Sequence, residues 1–133
     1  MLIRLKKENR GQALVELALV LPILLLLVFG IVEFGRIFGT YLMVTHGARE
    51  GARAAAVGTE DTEIISLVKN RTSALQLNDS KVVVNISPGQ ISRVRGNGIT
   101  VKVEYPVQIY APFISVFTGG SYKVSSQVTM RYE

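Results

Sequence analysis

Few side chains in this 133-residue sequence are able to do chemistry, and the most informative sit near its start. Between Ala13 and Val32 every residue is apolar, Gly or Pro except Glu16. Near the first turn of a helix, a carboxylate complements the exposed amides of that end by about 0.3–1 kcal/mol. At the centre of a bilayer a charged side chain costs roughly 2.5–3.5 kcal/mol, and less at shallow depth. Upstream, Gly11 has no β-carbon, so its backbone can extend closely into a protease cleft. Other chemistries lack their residues. There is no cysteine, so no disulfide and no thiolate metal site. The single His46 supports neither a histidine metal cluster nor a Ser/His/Asp triad. No P-loop, no Gly-x-Gly-x-x-Gly after a strand and no Gly-x-Ser-x-Gly is present. No catalytic residue, metal ligand or cofactor is expected.

Positioning Gly11 and Glu16 falls to the apolar run itself. As a helix, Ala13–Val32 spans roughly 30 Å, the thickness of a bilayer hydrocarbon core. Arg4, Lys6, Lys7 and Arg10, against Glu8 alone, precede it. The net charge is +5, and its density lies before the run. The positive-inside rule then keeps residues 1–11 cytoplasmic and exports the rest. A neighbouring membrane segment explains these charges better than nucleic acid does. No small-x-small cleavage site follows the run, since Ala54-Ala55-Ala56 lies far downstream. An uncleaved signal-anchor stays open. Pro22 removes one backbone donor, with or without a functional kink.

The helix is expected to continue beyond the membrane. Glu33 and Arg36 are spaced to pair on one face, and so are Glu50 and Arg53. Gly35, Gly39, Gly47 and Gly51 recur at multiples of four and suggest a close-packing ridge, against the alternative of a break near Gly39. Gly58 reads as a helix stop and Thr59-Glu60-Asp61 as a new start. A second helix is expected over about 60–75, with Ile64, Ile65, Val68, Thr72 and Leu75 on one face. Three strands follow by alternation. Val82, Val84 and Ile86 share one face, then Ile99, Val101, Val103 and Tyr105, then Tyr122, Val124, Val128, Met130 and Tyr132. Arg93 and Arg95 fall in a loop read as solvated. The apolar stretch 106–120 either covers the core with Tyr110, Phe113, Ile114, Val116 and Phe117, the favoured reading, or presents them to a neighbouring subunit or the outer leaflet. The fold class is α+β: a long N-terminal transmembrane helix continuing into a small domain with a second helix and a three-stranded antiparallel sheet.

Arg10-Gly11-Gln12-Ala13-Leu14-Val15-Glu16 with its apolar run, and the small, Arg-bearing stretch 47–56, resemble type IV prepilin-like proteins, specifically the TadE-like family of the Tad (Flp) pilus system. The Tyr105-Pro106 and Pro112-Phe113 pairs before the last strand are similar to that family as well. The resemblance implies cleavage by a prepilin peptidase between Gly11 and Gln12. Glu16 then becomes the fifth residue of the mature chain, where a neighbour's new ammonium can pair with it and set subunit register. It implies a leader over 1–11, a membrane helix over 12–33 and an extracytoplasmic pilin-like domain over 34–133, with the helix running to about 57 and the sheet over about 81–132. It also implies a pseudopilin or minor pilin with no enzymatic activity and no cofactor. The partners implied are the cytoplasmic membrane, the peptidase, other pilins and the Tad assembly machinery. The rival readings are an uncleaved signal-anchored protein with an exported binding domain, and a membrane-tethered enzyme, which needs a pocket of convergent polar groups.

Overall fold

The computed structural model describes residues 9–73 and 78–133, with the backbone alone at Asn9, Arg10, Asp79, Pro112 and Phe113. The basic residues Arg4, Lys6 and Lys7 and the expected helix residue Leu75 therefore lie outside the described residues, as does the expected role of the Phe113 side chain.

One helix, α1, runs unbroken from Asn9 to Ala56. Its 48 residues make a rod about 72 Å long. It passes through Pro22, Gly39, Gly47 and Gly51 without interruption, so the helix does not break near Gly39. The two halves of the rod differ in what surrounds them. From Gly11 to Phe29 every side is exposed, and none of the other described residues covers the apolar side chains. A helix that is apolar all round needs an apolar surround, which a bilayer supplies. From Glu33 onward one face is covered instead, and Val44, Ala48, Ala52 and Ala55 are fully buried.

α1 stops at Ala56 because Gly58 takes a left-handed conformation, φ 87°. Its amide donates to the Ala55 carbonyl and that of Thr59 to Ala54, which satisfies orphan carbonyls at the helix end. The chain reverses into α2, Asp61–Ser73. This helix starts one residue later than expected and turns Ile64, Val68 and Thr72 inward. The buried Thr72 hydroxyl donates back to the carbonyls of Val68 (3.1 Å) and Lys69 (2.9 Å), so it leaves no unmet hydrogen bond in the core.

The strands β1 (Val83–Ser87), β2 (Gly98–Gln108) and β3 (Ser121–Arg131) form one antiparallel sheet with β2 central. Its register sets Ile86 opposite Val101, Val101 opposite Val128, and Ile99 opposite Met130. One face is therefore aliphatic, and α1 and α2 lie over it. The other face carries Thr100, hydrogen-bonded to Thr129 (2.7 Å), and Lys102, paired with Glu104 (2.8 Å). The hydrogen bond from Lys102 holds the Glu104 carboxyl below its ordinary pKa, against some desolvation and with help from the charges of Lys102 and Lys123. A lowered folded-state value contributes stability above the unfolded pKa and loses it as pH falls through the folded one. Lys102→Ala is expected to move the Glu104 titration upward toward the ordinary carboxylate range, read by carboxyl NMR of the folded protein.

Between β2 and β3 a short helix, α3 (Pro112–Thr118), occupies part of the stretch expected to cover the core. Ile109 and Ala111 are buried, but Tyr110, Val116 and Phe117 point to the outside. Tyr122, expected inward, is half exposed. It faces Val107 one rung from the end of the sheet, where the helices no longer provide full cover.

Candidate functional site

Two regions hold the candidate residues: the N-terminal part of α1, and the junction where its bare half meets the head. Gly11, Gln12 and Glu16 are all helical and exposed. Because α1 begins at Asn9, Glu16 lies in the second turn rather than the first, and the first turn holds no acidic residue. The benefit to a carboxylate from the helix end fades within the first turn, so in the full-length chain that end does not account for Glu16.

The junction is built on Glu33 and Arg36. Glu33 is only 4% exposed although it ends the apolar run. Arg36 donates to it at 2.9 Å, as their spacing predicts. The same guanidinium donates to the Gln108 carbonyl (3.2 Å) and lies 4.7 Å from the centre of the Tyr110 ring. Thr40 donates to the Arg36 carbonyl, which supplies its buried hydroxyl with a partner. The ion pair thus fastens one end of β2 to the stem. Its sequence signal was the spacing of Glu33 and Arg36; nothing local marked Gln108 or Tyr110 as the other half. At the opposite end of the sheet the Glu133 amide donates to the Ala56 carbonyl (3.0 Å). β2 therefore runs from the far end of α1 back toward its apolar half.

Small residues divide the stem. A β-carbon on Gly51 would meet Val68 Cγ2 at 2.8 Å and Val101 Cγ1 at 3.1 Å, and one on Gly47 would meet Val68 and Thr72 at 3.3 Å. These two glycines let α2 and β2 close on α1. Around Gly35 and Gly39 a β-carbon would meet nothing within 4 Å. The expected single ridge is thus two separate pairs. Each step of four residues turns about 40° around a helix, so Gly35 and Gly51 are about 160° apart. Gly35 and Gly39 border an open groove of about 670 Å³ beside Arg36, Lys81, Tyr105 and Tyr110.

Residues 11–53 match the family model for TadE-like proteins. The matched TadE-like stretch begins at Gly11, takes in Glu16, the bare span, the Glu33–Arg36 pair and both glycine pairs, and ends three residues before the end of α1. The sheet and α2 lie outside it. No curated protein and no solved structure matches the chain. The match covers about a third of the chain, and the bare helix within it is long and apolar enough to cross a membrane.

One polar site lies outside this stretch and corrects an expectation. Arg93, read as part of a solvated loop, has a side chain only 2% exposed. It forms an ion pair with Asp61 at the start of α2 and donates to the carbonyls of Thr59 (3.1 Å) and Pro88 (3.5 Å). Asp61 also accepts from the Gln90 amide (3.2 Å). The loop after β1 is thereby tied to the turn between the helices.

Proposed function

We propose that this TadE-like protein is a pseudopilin or minor pilin, a non-enzymatic component of Tad pilus assembly or secretion. In this reading residues 1–11 form a cytoplasmic leader, 12–33 the span across the cytoplasmic membrane, and 34–133 an extracytoplasmic head. The observation that carries it is one uninterrupted helix, TadE-like over 11–53, whose first half is apolar on every side and whose second half bears a folded head.

Processing falls between Gly11 and Gln12. Gly11 and Gln12 are exposed, and glycine is a poor helix former. Unwinding Asn9–Gln12 to present an extended bond to the peptidase therefore costs little. Removing the leader makes Glu16 the fifth residue and sets it near a new ammonium at Gln12. Across two subunits that pair fixes axial register in a low-dielectric bundle. Gly35 and Gly39, where a β-carbon would meet nothing within 4 Å, serve packing between subunits, and Gly47 and Gly51 serve packing within one. Partners are the prepilin peptidase, other pilins and the Tad assembly machinery.

The helical state of Gly11 favours a second reading, an uncleaved signal-anchor with an exported binding domain. Mass spectrometry of the membrane-extracted chain separates the two. In cells with the peptidase, the mature chain is expected to begin at Gln12, and Gly11→Val to retain the leader. Glu16→Gln is expected to be cleaved normally yet lost from pili and from co-purified pilins. An intact Met1 terminus in those cells leaves the signal-anchor.

A further inference from the structure

The exposed aromatic residues of this protein are not scattered. Among the described residues, those of the head are Tyr110, Phe117 and Tyr122, and all three lie at the end of the sheet that Arg36 holds. The stem adds Phe34, Phe38 and Tyr41 at the same level, with Phe34 and Phe38 stacked and a groove running between them and Tyr122–Lys123. At the far end of the head, Tyr132 is largely covered and lies against Gly58.

The axial position of this cluster follows from α1. Arg36 is four residues, about 6 Å, beyond the end of the apolar run at Val32. The polar layer outside a bilayer's hydrocarbon core is about 5–8 Å thick on each side. The β2–β3 connection therefore sits at headgroup depth once α1 spans. α3 crosses the connection there, closed at its base by the Ile109 amide donating to the Gly120 carbonyl (3.0 Å). Phe117 is 90% exposed and Val116 79%, and these two neighbours lie beside the exposed rings of Tyr110 and Tyr122, whereas the exposed Ile91 and Val94 of the far end have no exposed aromatic residue near them among the described residues. Arg36 and Lys123 lie among the rings. Aromatic rings at headgroup level with cations beside them are how membrane proteins meet an interface.

We propose that α3 is an interfacial foot: Val116 and Phe117 insert into the outer edge of the bilayer that α1 crosses, and, with the aromatic girdle of the stem, fix the head's tilt and height over the membrane. This rests on α1 spanning a bilayer, which is part of the reading above. The foot gives the head a second anchorage, so that leaving the membrane for a filament requires α3 to leave the lipid.

Because the sequence has no cysteine, one introduced at a time can be labelled cleanly. The full chain, carrying an environment-sensitive fluorophore at Leu24→Cys, Phe117→Cys or Ile91→Cys, is reconstituted in phosphatidylcholine–phosphatidylglycerol vesicles. Quenching by lipids bearing a nitroxide near the headgroup or deep in the acyl chain is then measured. Ile91 is fully exposed and belongs to the loop tied to α2, at the far end. Position 117 is expected to be quenched several-fold more by the shallow nitroxide than position 91, and position 24 to be quenched best by the deep one. If 24 is quenched and 117 behaves like 91, the foot is wrong and the span stands. If 24 escapes the deep nitroxide, the span itself fails and the foot with it. Shielding of 117 that depends on protein density rather than on lipid assigns the face to a second copy and overturns the proposal.

Discussion

Gly51→Leu is expected to unfold the head while leaving the apolar half of α1 helical in detergent. The three side chains that a β-carbon at Gly51 would approach within 3.5 Å, those of Val68, Val101 and Ile64, are themselves fully buried and come from α2 and β2. A leucine there drives all three elements apart. Overpacking typically costs 1–3 kcal/mol, and for an added isobutyl group at a contact already below 3 Å about 3 kcal/mol or more is expected. Small domains have little more than about 5–15 kcal/mol in total. Gly51→Ala opposes two effects: a gain of about 0.8–1 kcal/mol in helix propensity and the clash with a stiff valine. The clash is expected to prevail by about 1 kcal/mol. Gly39→Leu is the control. Open space surrounds it, so head stability should stay within about 0.5 kcal/mol of the parent. Urea unfolding in detergent, followed by the near-UV tyrosine signal, reads all three variants. An unchanged midpoint for Gly51→Leu would show that α2 does not close on α1 as described.

The Asp61–Arg93 pair should show the next largest effect. Asp61→Ala leaves the guanidinium buried with only the Thr59 and Pro88 carbonyls as partners. Breaking one side of a buried pair costs 3–5 kcal/mol. Because the Asp61 side chain is about a third exposed, water reaches the site and about 3 kcal/mol is expected. Arg93→Met leaves a carboxylate that water can solvate, that still accepts from Gln90 and that still starts a helix. Its cost should be nearer 1 kcal/mol. The double variant should therefore be more stable than Asp61→Ala alone, since it removes the stranded charge. The same urea titration completes the double-mutant cycle. A double variant no better than the single one would mean that Arg93 is stabilised by its carbonyl contacts alone.

In the proposed function, the two glycine pairs and the foot keep a subunit's inward and outward contacts apart. Gly47 and Gly51 are filled by the chain's own α2 and β2. Gly35 and Gly39 remain open beside a groove, one turn from the Glu33–Arg36 junction. Substitutions at the first pair should therefore act on folding, and those at the second on association.

What the sequence determined by itself was whatever depends on short-range periodicity. The apolar run, its lone Glu16, the Glu33–Arg36 spacing, the stop at Gly58 and the alternation in Val101–Tyr105 and Val124–Met130 each reflect geometry repeated every two or 3.6 residues. From these the α+β order of elements could be read, together with the aliphatic face of the sheet. What only the tertiary structure decided were contacts between residues far apart in the chain. Arg93 looked solvated because its partner, Asp61, is 32 residues away. Phe117 and Tyr122 looked like core because apolar composition does not say where the covering helices end. The glycines looked like one ridge because a row in sequence drifts around a helix, and only the placement of α2 and β2 chose which pair would be covered.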